Sequence, residues 1–124
     1  MAMAEQHCIF IFHGSASRPA KEAALKLAND LKSNLHCSFS ICYLKEGIPT
    51  LSAALNNAYS EGFKEINCLP LLLLPGSHTI KEVPELISEF KIQHPDCQVT
   101  QLPCLAESSH FVEFLIKTLE SANA

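Results

Sequence analysis

Short apolar runs alternate with amphipathic stretches along the whole chain. Cys8-Ile9-Phe10-Ile11-Phe12 is unbroken, stops at His13-Gly14-Ser15, and predicts a strand over residues 7–12. Beyond it Ala20, Ala24, Leu27, Ala28, Leu31 and Leu35 share one helical stripe, with Ser17 at the N-cap position and Pro19 in the first turn. Residues 37–43 alternate, with Phe39, Ile41 and Tyr43 on one face, which predicts a second strand. Pro49-Thr50 opens a second helix with the stripe Leu51, Ala54, Leu55 and Ala58, and Gly62 is its stop signal. The run Leu69 to Leu74 ends abruptly in Pro75-Gly76-Ser77-His78 and predicts a strand buried on both faces, from about Glu65 to Leu74. Pro70 cannot donate to a ladder, so an irregularity is expected there. Ile80, Val83, Leu86, Ile87 and Phe90 make a third helical stripe with Pro84 in its first turn, ended by His94-Pro95-Asp96. A more polar strand over about Gln98–Leu102 follows. The last helix starts near Ser109, with Phe111, Leu115 and Leu119 on one side and Val112 and Ile116 close by. The tail from Ser121 to Ala124 is expected to fray.

The order β-α-β-α-β-α-β-α implies right-handed crossovers, a parallel sheet and helices on both of its faces, in one α/β domain spanning residues 1–124. A strand order of 2-1-3-4 makes strands one and three neighbours. Open sheets of this kind bind ligands where the strands end, at the point where the order reverses. Both neighbouring strands run into a loop bearing a histidine beside a glycine and a serine, so His13 and His78 are expected to face each other across one crevice.

Composition narrows the function classes. Nine Lys plus Arg stand against thirteen Asp plus Glu, a net charge of −4, which argues against nucleic acid and anionic membranes as partners. No apolar run approaches the roughly 18–20 residues of a membrane span. The stretch Met1 to Gln6 lacks the basic start and apolar core of a signal peptide, so a cytoplasmic location is expected. The six cysteines, at 8, 37, 42, 68, 97 and 104, form no C-x-x-C pair and read as buried reduced thiols.

Two imidazoles at one edge make an open metal site, suited to an ion that is handed over or that must accept another ligand. Taken alone, His-Gly-Ser is a short string, and loop histidines that cap helices or bind water explain it as well. Gly14, Ser15, Gly76 and Ser77 are small enough to let a large flat ligand approach the backbone. Glu82 lies one helical turn past His78 and is a candidate proton acceptor, or simply a carboxylate at a helix N-terminus. Arg18, Lys21, Lys45 and Lys81 lie in or beside the same loops and are candidate partners for ligand carboxylates. His7, His36, His94 and His110 read as surface residues. No G-x-G-x-x-G, Walker lysine or G-x-S-x-G is present.

With both loops read, the sequence resembles the sirohydrochlorin chelatases in their small single-domain cobaltochelatase form. The resemblance runs from about His7 to Leu119. It rests on the apolar strand into His13-Gly14-Ser15 with Arg18-Pro19, on Tyr43-Leu44, Pro49-Thr50-Leu51 and Ala54-Leu55, and above all on Leu69 through His78 followed by Glu82-Val83-Pro84. It implies a ferrochelatase-like α/β fold, a three-layer sandwich around a four-stranded, mainly parallel sheet, and a homodimer. The implied activity is ATP-independent insertion of Co2+, Fe2+ or Ni2+ into sirohydrochlorin or a related tetrapyrrole. The divalent metal is then a substrate, with no tightly bound cofactor. The metal-handling positions fall on His13 and His78, and Glu82 stands where the family commonly has Asp. Lys45, followed by Glu46, departs from an acidic residue common in the family, Gly76-Ser77 from a Gly-Gly turn, and Leu105-Ala106-Glu107-Ser108 from a Gly-containing loop. The alternatives are a metal or tetrapyrrole carrier that does not insert, and a noncatalytic interaction module.

Overall fold

Strand β1 (His7–Phe12) is the most apolar of the strands and takes an inner position, paired on both edges. Around it a computed structural model, describing residues 5–123, places β2 (Ser38–Tyr43), β3 (Glu65–Pro70) and β4 (Gln98–Gln101) in one parallel sheet of order β2-β1-β3-β4, as the pattern predicts. The helices are α1 (Arg18–Asn34), α2 (Leu51–Ser60), α3 (Val83–Gln93) and α4 (Phe111–Ala122). Asn123 caps α4, and Ala124, the end of the expected frayed tail, lies outside the described residues. No described helix is long and apolar enough to cross a membrane.

Period-two alternation divides the sheet. Ile9, Ile11, Cys42, Ile66, Cys68 and Val99 point to one face, where Leu51, Leu55, Val83, Ile87 and Phe90 of α2 and α3 complete the buried core. Each fully buried aliphatic side chain there contributes about 1.5–3 kcal/mol. Thr50 fixes the start of α2, its Oγ1 accepting from Ala53 N–H at 3.2 Å. Four of the six cysteines are buried, and desolvation pushes the Cys42 and Cys68 thiols up to about 12. They are small core hydrophobes, as expected.

The other face carries Phe10, Phe12, Phe39, Ile41 and Tyr43, with Phe10 against Phe39 and Phe12 against Tyr43. Its helical cover is thinner than the stripes suggest. Helix α1 has no buried residue and Leu27 is exposed. A cavity of about 620 Å³ lies between α1 and this face. Helix α4 also has no buried residue and packs chiefly on a short 3-10 turn, Leu105–Glu107, leaving Val112, Phe114, Leu115, Ile116 and Leu119 exposed. An amphipathic pattern specifies a face that wants cover, not what covers it.

Two local expectations need correction. Strand β3 stops at Pro70, not at Leu74: Leu71 N–H still donates to Ile11 O at 2.8 Å, but the chain then leaves the ladder, and Leu73 and Leu74 are exposed. Ile80 drops off the α3 stripe and is exposed, because His78–Glu82 is a π-helical turn and the 3.6-residue period starts only at Val83. Ser17 does occupy the N-cap of α1, as expected, although its side chain makes no capping bond and its N–H donates to Ser15 Oγ at 3.0 Å.

His7 is buried rather than on the surface. Its ring nitrogens bond Ser38 Oγ at 2.8 Å and Ser40 Oγ at 2.9 Å, and the ring packs on Phe63. Burial holds this imidazole below its usual value, with Glu61 pulling weakly the other way. The unfolded chain therefore takes the proton more readily, so His7's contribution to stability is whole above about pH 6.5 and lost progressively below it. Urea midpoints between pH 7.5 and 5 are expected to fall, and to fall less in His7→Asn. An unchanged slope in that variant would exclude His7 as the source.

At the amino edge of the sheet a second cluster ties α2, β3 and α3 together. Tyr59 Oη donates to both Asp96 carboxylate oxygens, at 2.9 and 3.0 Å, while Lys64 Nζ lies 3.0 Å from Asp96 and over the Tyr59 ring. The lysine hydrogen bond, then that of the tyrosine, holds the Asp96 carboxyl below the usual carboxylate range.

Candidate metal-handling site

The site forms at the carboxyl edge, where neighbouring β1 and β3 release their loops. His13 follows the last residue of β1 and is exposed; His78 opens the π-helical turn and is half-buried. Their ring centroids are 5.0 Å apart and the rings are steeply inclined, at 72°. The expected juxtaposition across the crevice is therefore present.

Hydrogen bonds decide the chemistry of each ring. His13 Nδ1 lies 3.1 Å from Gly14 O, a group that only accepts, so Nδ1 carries the proton and Nε2 keeps its lone pair. His78 Nδ1 lies 2.6 Å from Glu82 Oε1, so an ionised Glu82 sets the same tautomer. A carboxylate hydrogen-bonded to one ring nitrogen fixes the orientation of an imidazole. Each ring thus keeps an unprotonated Nε2, and each Nδ1–H is anchored.

The loop after β2 is fastened to the first histidine loop. Leu44 N–H donates to Phe12 O at 3.0 Å and Lys45 N–H to His13 O at 2.9 Å. Gly14 has a φ of +96°, and a Cβ there would sit 2.4 Å from Glu46 O. This contact accounts for glycine at position 14. The cavity beside α1 opens onto the same loop: Phe12, Ile41, Tyr43, Leu25 and Ile48 line it, with His13, Gly14 and Ser15 at one end.

The remaining expected residues are less closely engaged. Gly76 closes the second loop, its O accepting from Thr79 and Ile80 N–H and its own N–H donating to Thr79 Oγ1. Ser77 is exposed and makes no capping bond. Arg18 is exposed and pairs with Glu22 at 3.6 Å, and Lys45 is exposed beside the His13 loop. Lys21 borders the cavity. Sequence reasoning missed Thr79 and Gln101. Thr79 is buried under the turn, and Gln101 Nε2 donates to Thr79 O at 2.9 Å. The signal for this pair was Pro84, which removes a donor from the turn.

Compared with known proteins, residues 7–122 match the CbiX family. The chain belongs to that family. This CbiX chain is 31% identical over 87 residues to the sirohydrochlorin cobaltochelatase of Methanocaldococcus jannaschii, covering 69% of this chain and 61% of the relative. It is 23% identical over 116 residues to the sirohydrochlorin ferrochelatase of Priestia megaterium, covering 93% of this chain and 44% of that one. Among solved structures, the CbiX protein of Marinobacter aquaeolei VT8 superposes with a TM-score of 0.79 at 21% identity, covering 94% of this chain and 96% of that chain. The likeness in fold extends over both chains, while this CbiX chain spans about half the length of the curated relatives it matches.

Proposed function

We propose that this chain inserts a divalent metal ion, Co2+ or Fe2+ or Ni2+, into sirohydrochlorin or a closely related tetrapyrrole, without ATP. The observation that carries the reading is the pair of imidazoles 5.0 Å apart, each with Nδ1–H anchored and Nε2 free. Two neutral ligands hold an ion while leaving positions open for ring nitrogens and water. The names of the similar chelatases support the substrate class and, between them, cobalt and iron.

In this reading the macrocycle approaches the carboxyl edge over Gly14, Ser15, Gly76 and Ser77, with part of its apolar body toward the cavity beside α1. Ring carboxylates meet Lys21, Lys45 and Arg18, the last in competition with Glu22. The metal exchanges histidine and water ligands for pyrrole nitrogens, and two N–H protons leave the ring for each ion inserted. Glu82 holds the His78 tautomer, and it and the vacated imidazoles take up the two protons once the metal has left. The working assembly is a homodimer; the uncovered apolar stripe of α4 supports it.

The test is anaerobic absorbance of purified protein with sirohydrochlorin and Co2+ or Fe2+, against the uncatalysed rate. Multiple turnovers are expected. A spectral change that saturates at one ring per site with no faster insertion would replace the chelatase with a carrier, and no change with any metal would remove both.

A further inference from the structure

The turn that carries His78 contains a backbone acceptor whose regular donor is missing. In a π-helical turn each carbonyl accepts from the N–H five residues on, and His78 O does so from Val83. The next carbonyl in that ladder is Thr79 O, and the residue five further on is Pro84, which has no N–H. Thr79 is buried, so water is a poor substitute. Gln101 fills the vacancy, with Nε2 at 2.9 Å from Thr79 O. Gln101 is the last residue of β4 and pairs with Cys68 of β3, so this donor stands on the sheet rather than on the turn. On the other side of Thr79 the hydroxyl accepts from Gly76 N–H at 3.0 Å and lies 3.2 Å from Gly76 O. The residue after His78 is thereby held from two directions.

We propose that Gln101 is a positioning residue for the metal-handling pair: its side-chain amide replaces the N–H that Pro84 lacks and ties the His78–Glu82 turn to the sheet. The assignment rests on the reading of His78 as a metal ligand. His13 is set by β1 and the loop after β2, so the spacing of the two rings depends on how firmly the turn is held. Without Gln101, Thr79 O is left without its donor, and the turn shifts to find one. The His78 ring then loses its fixed relation to His13. Outer partners of this kind are worth about 10–100-fold in metal affinity.

The experiment compares wild type, Gln101→Leu, Pro84→Ala and the double variant, with Co2+ alone as the probe in calorimetry and hydrogen exchange of the Val83 amide as the probe of the turn. Gln101→Leu is expected to weaken Co2+ binding by about 10–100-fold and to speed exchange at Val83, with the β1 amides of Ile9 and Ile11 unaltered. Pro84→Ala restores an N–H opposite Thr79 O, so the double variant is expected to recover both properties, a rescue that a general loss of packing would not allow. Gln101→Asn keeps an amide but stops one methylene short, and replaces the Leu variant if that does not fold. Unchanged affinity and exchange in Gln101→Leu, or no recovery in the double variant, would overturn the proposal. If wild type binds no Co2+, the metal reading fails, and Val83 exchange with its rescue decides the role of Gln101 in the turn by itself.

Discussion

A chain carrying His13→Ala and His78→Ala together is expected to fold as the wild type does and to insert metal no faster than the uncatalysed reaction. His13 is exposed and the His78 side chain retains 27% exposure, so neither belongs to the core that holds the sheet. Replacing an exposed side chain such as His13 changes stability by about 0.5 kcal/mol or less, and losing the hydrogen bond between His78 and Glu82 costs about 1 kcal/mol more. Function should respond very differently. The two rings are the pair that the carboxyl edge offers with unshared Nε2 electrons, and the proposed site holds its ion through both. Each single variant leaves one imidazole and is expected to bind Co2+ more weakly than wild type and more tightly than the double. Calorimetry with Co2+, turnover under anaerobic conditions and a urea titration of each variant separate the three quantities. Sustained turnover by a folded double variant would sink the site assignment.

Gly14→Ala is expected to be the most destabilising single replacement in the loops. The residue has a φ of +96°, and the added methyl would meet Glu46 O at 2.4 Å and Glu46 N at 2.8 Å, both backbone atoms that no side-chain rotation can clear. The cost is about 2–4 kcal/mol, made of roughly 1–2 kcal/mol for an L-residue in left-handed conformation and the displacement of one loop from the other. Gly62 supplies the control: its φ is +100°, yet nothing lies within 4 Å of its would-be Cβ. Gly62→Ala should therefore lose only the conformational part. Urea midpoints that rank the two variants equally would show that the Gly14–Glu46 contact has no energetic weight. Because Lys45 N–H is bonded to His13 O, parting these loops also moves the first histidine, so the folded fraction of Gly14→Ala should bind Co2+ more weakly.

What was legible in the chain was whatever repeats with a regular period. The β1 run, the alternation of Phe39, Ile41 and Tyr43, the stripe of α2 with Thr50 before it, and the strand order all appear in the structure as the pattern predicts. The pairing of His13 with His78 followed from that order. What was not legible departs from regular periods. Leu71 to Leu74 have strand composition, but only Leu71 extends the pairing with β1, its N–H donating to Ile11 O at 2.8 Å, before the chain leaves the ladder. Ile80 fits a 3.6-residue stripe only if the helix has no π turn, and the residues around Pro84 read the same in sequence whether the regular helix starts at Val83 or earlier. His7 was misplaced because its burial depends on register: Ser38 and Ser40 reach its two nitrogens only when β2 lies beside β1 as it does. The stripes of α1 and α4 are apolar for a face that this one chain leaves thinly covered.

The neighbouring of β1 and β3 has a consequence for when the proposed site can hold metal. The two histidines are far apart in sequence, and in an unfolded chain the effective concentration of one imidazole around an ion held by the other is that of a long flexible tether, which falls as the tether lengthens. Pairing of Phe10 with Leu69 and Ile11 with Pro70 replaces the tether by adjacent strand ends. In the proposed site, chelation by both rings is thus a property acquired with the sheet, and an unfolded copy does not hold the ion between these two imidazoles.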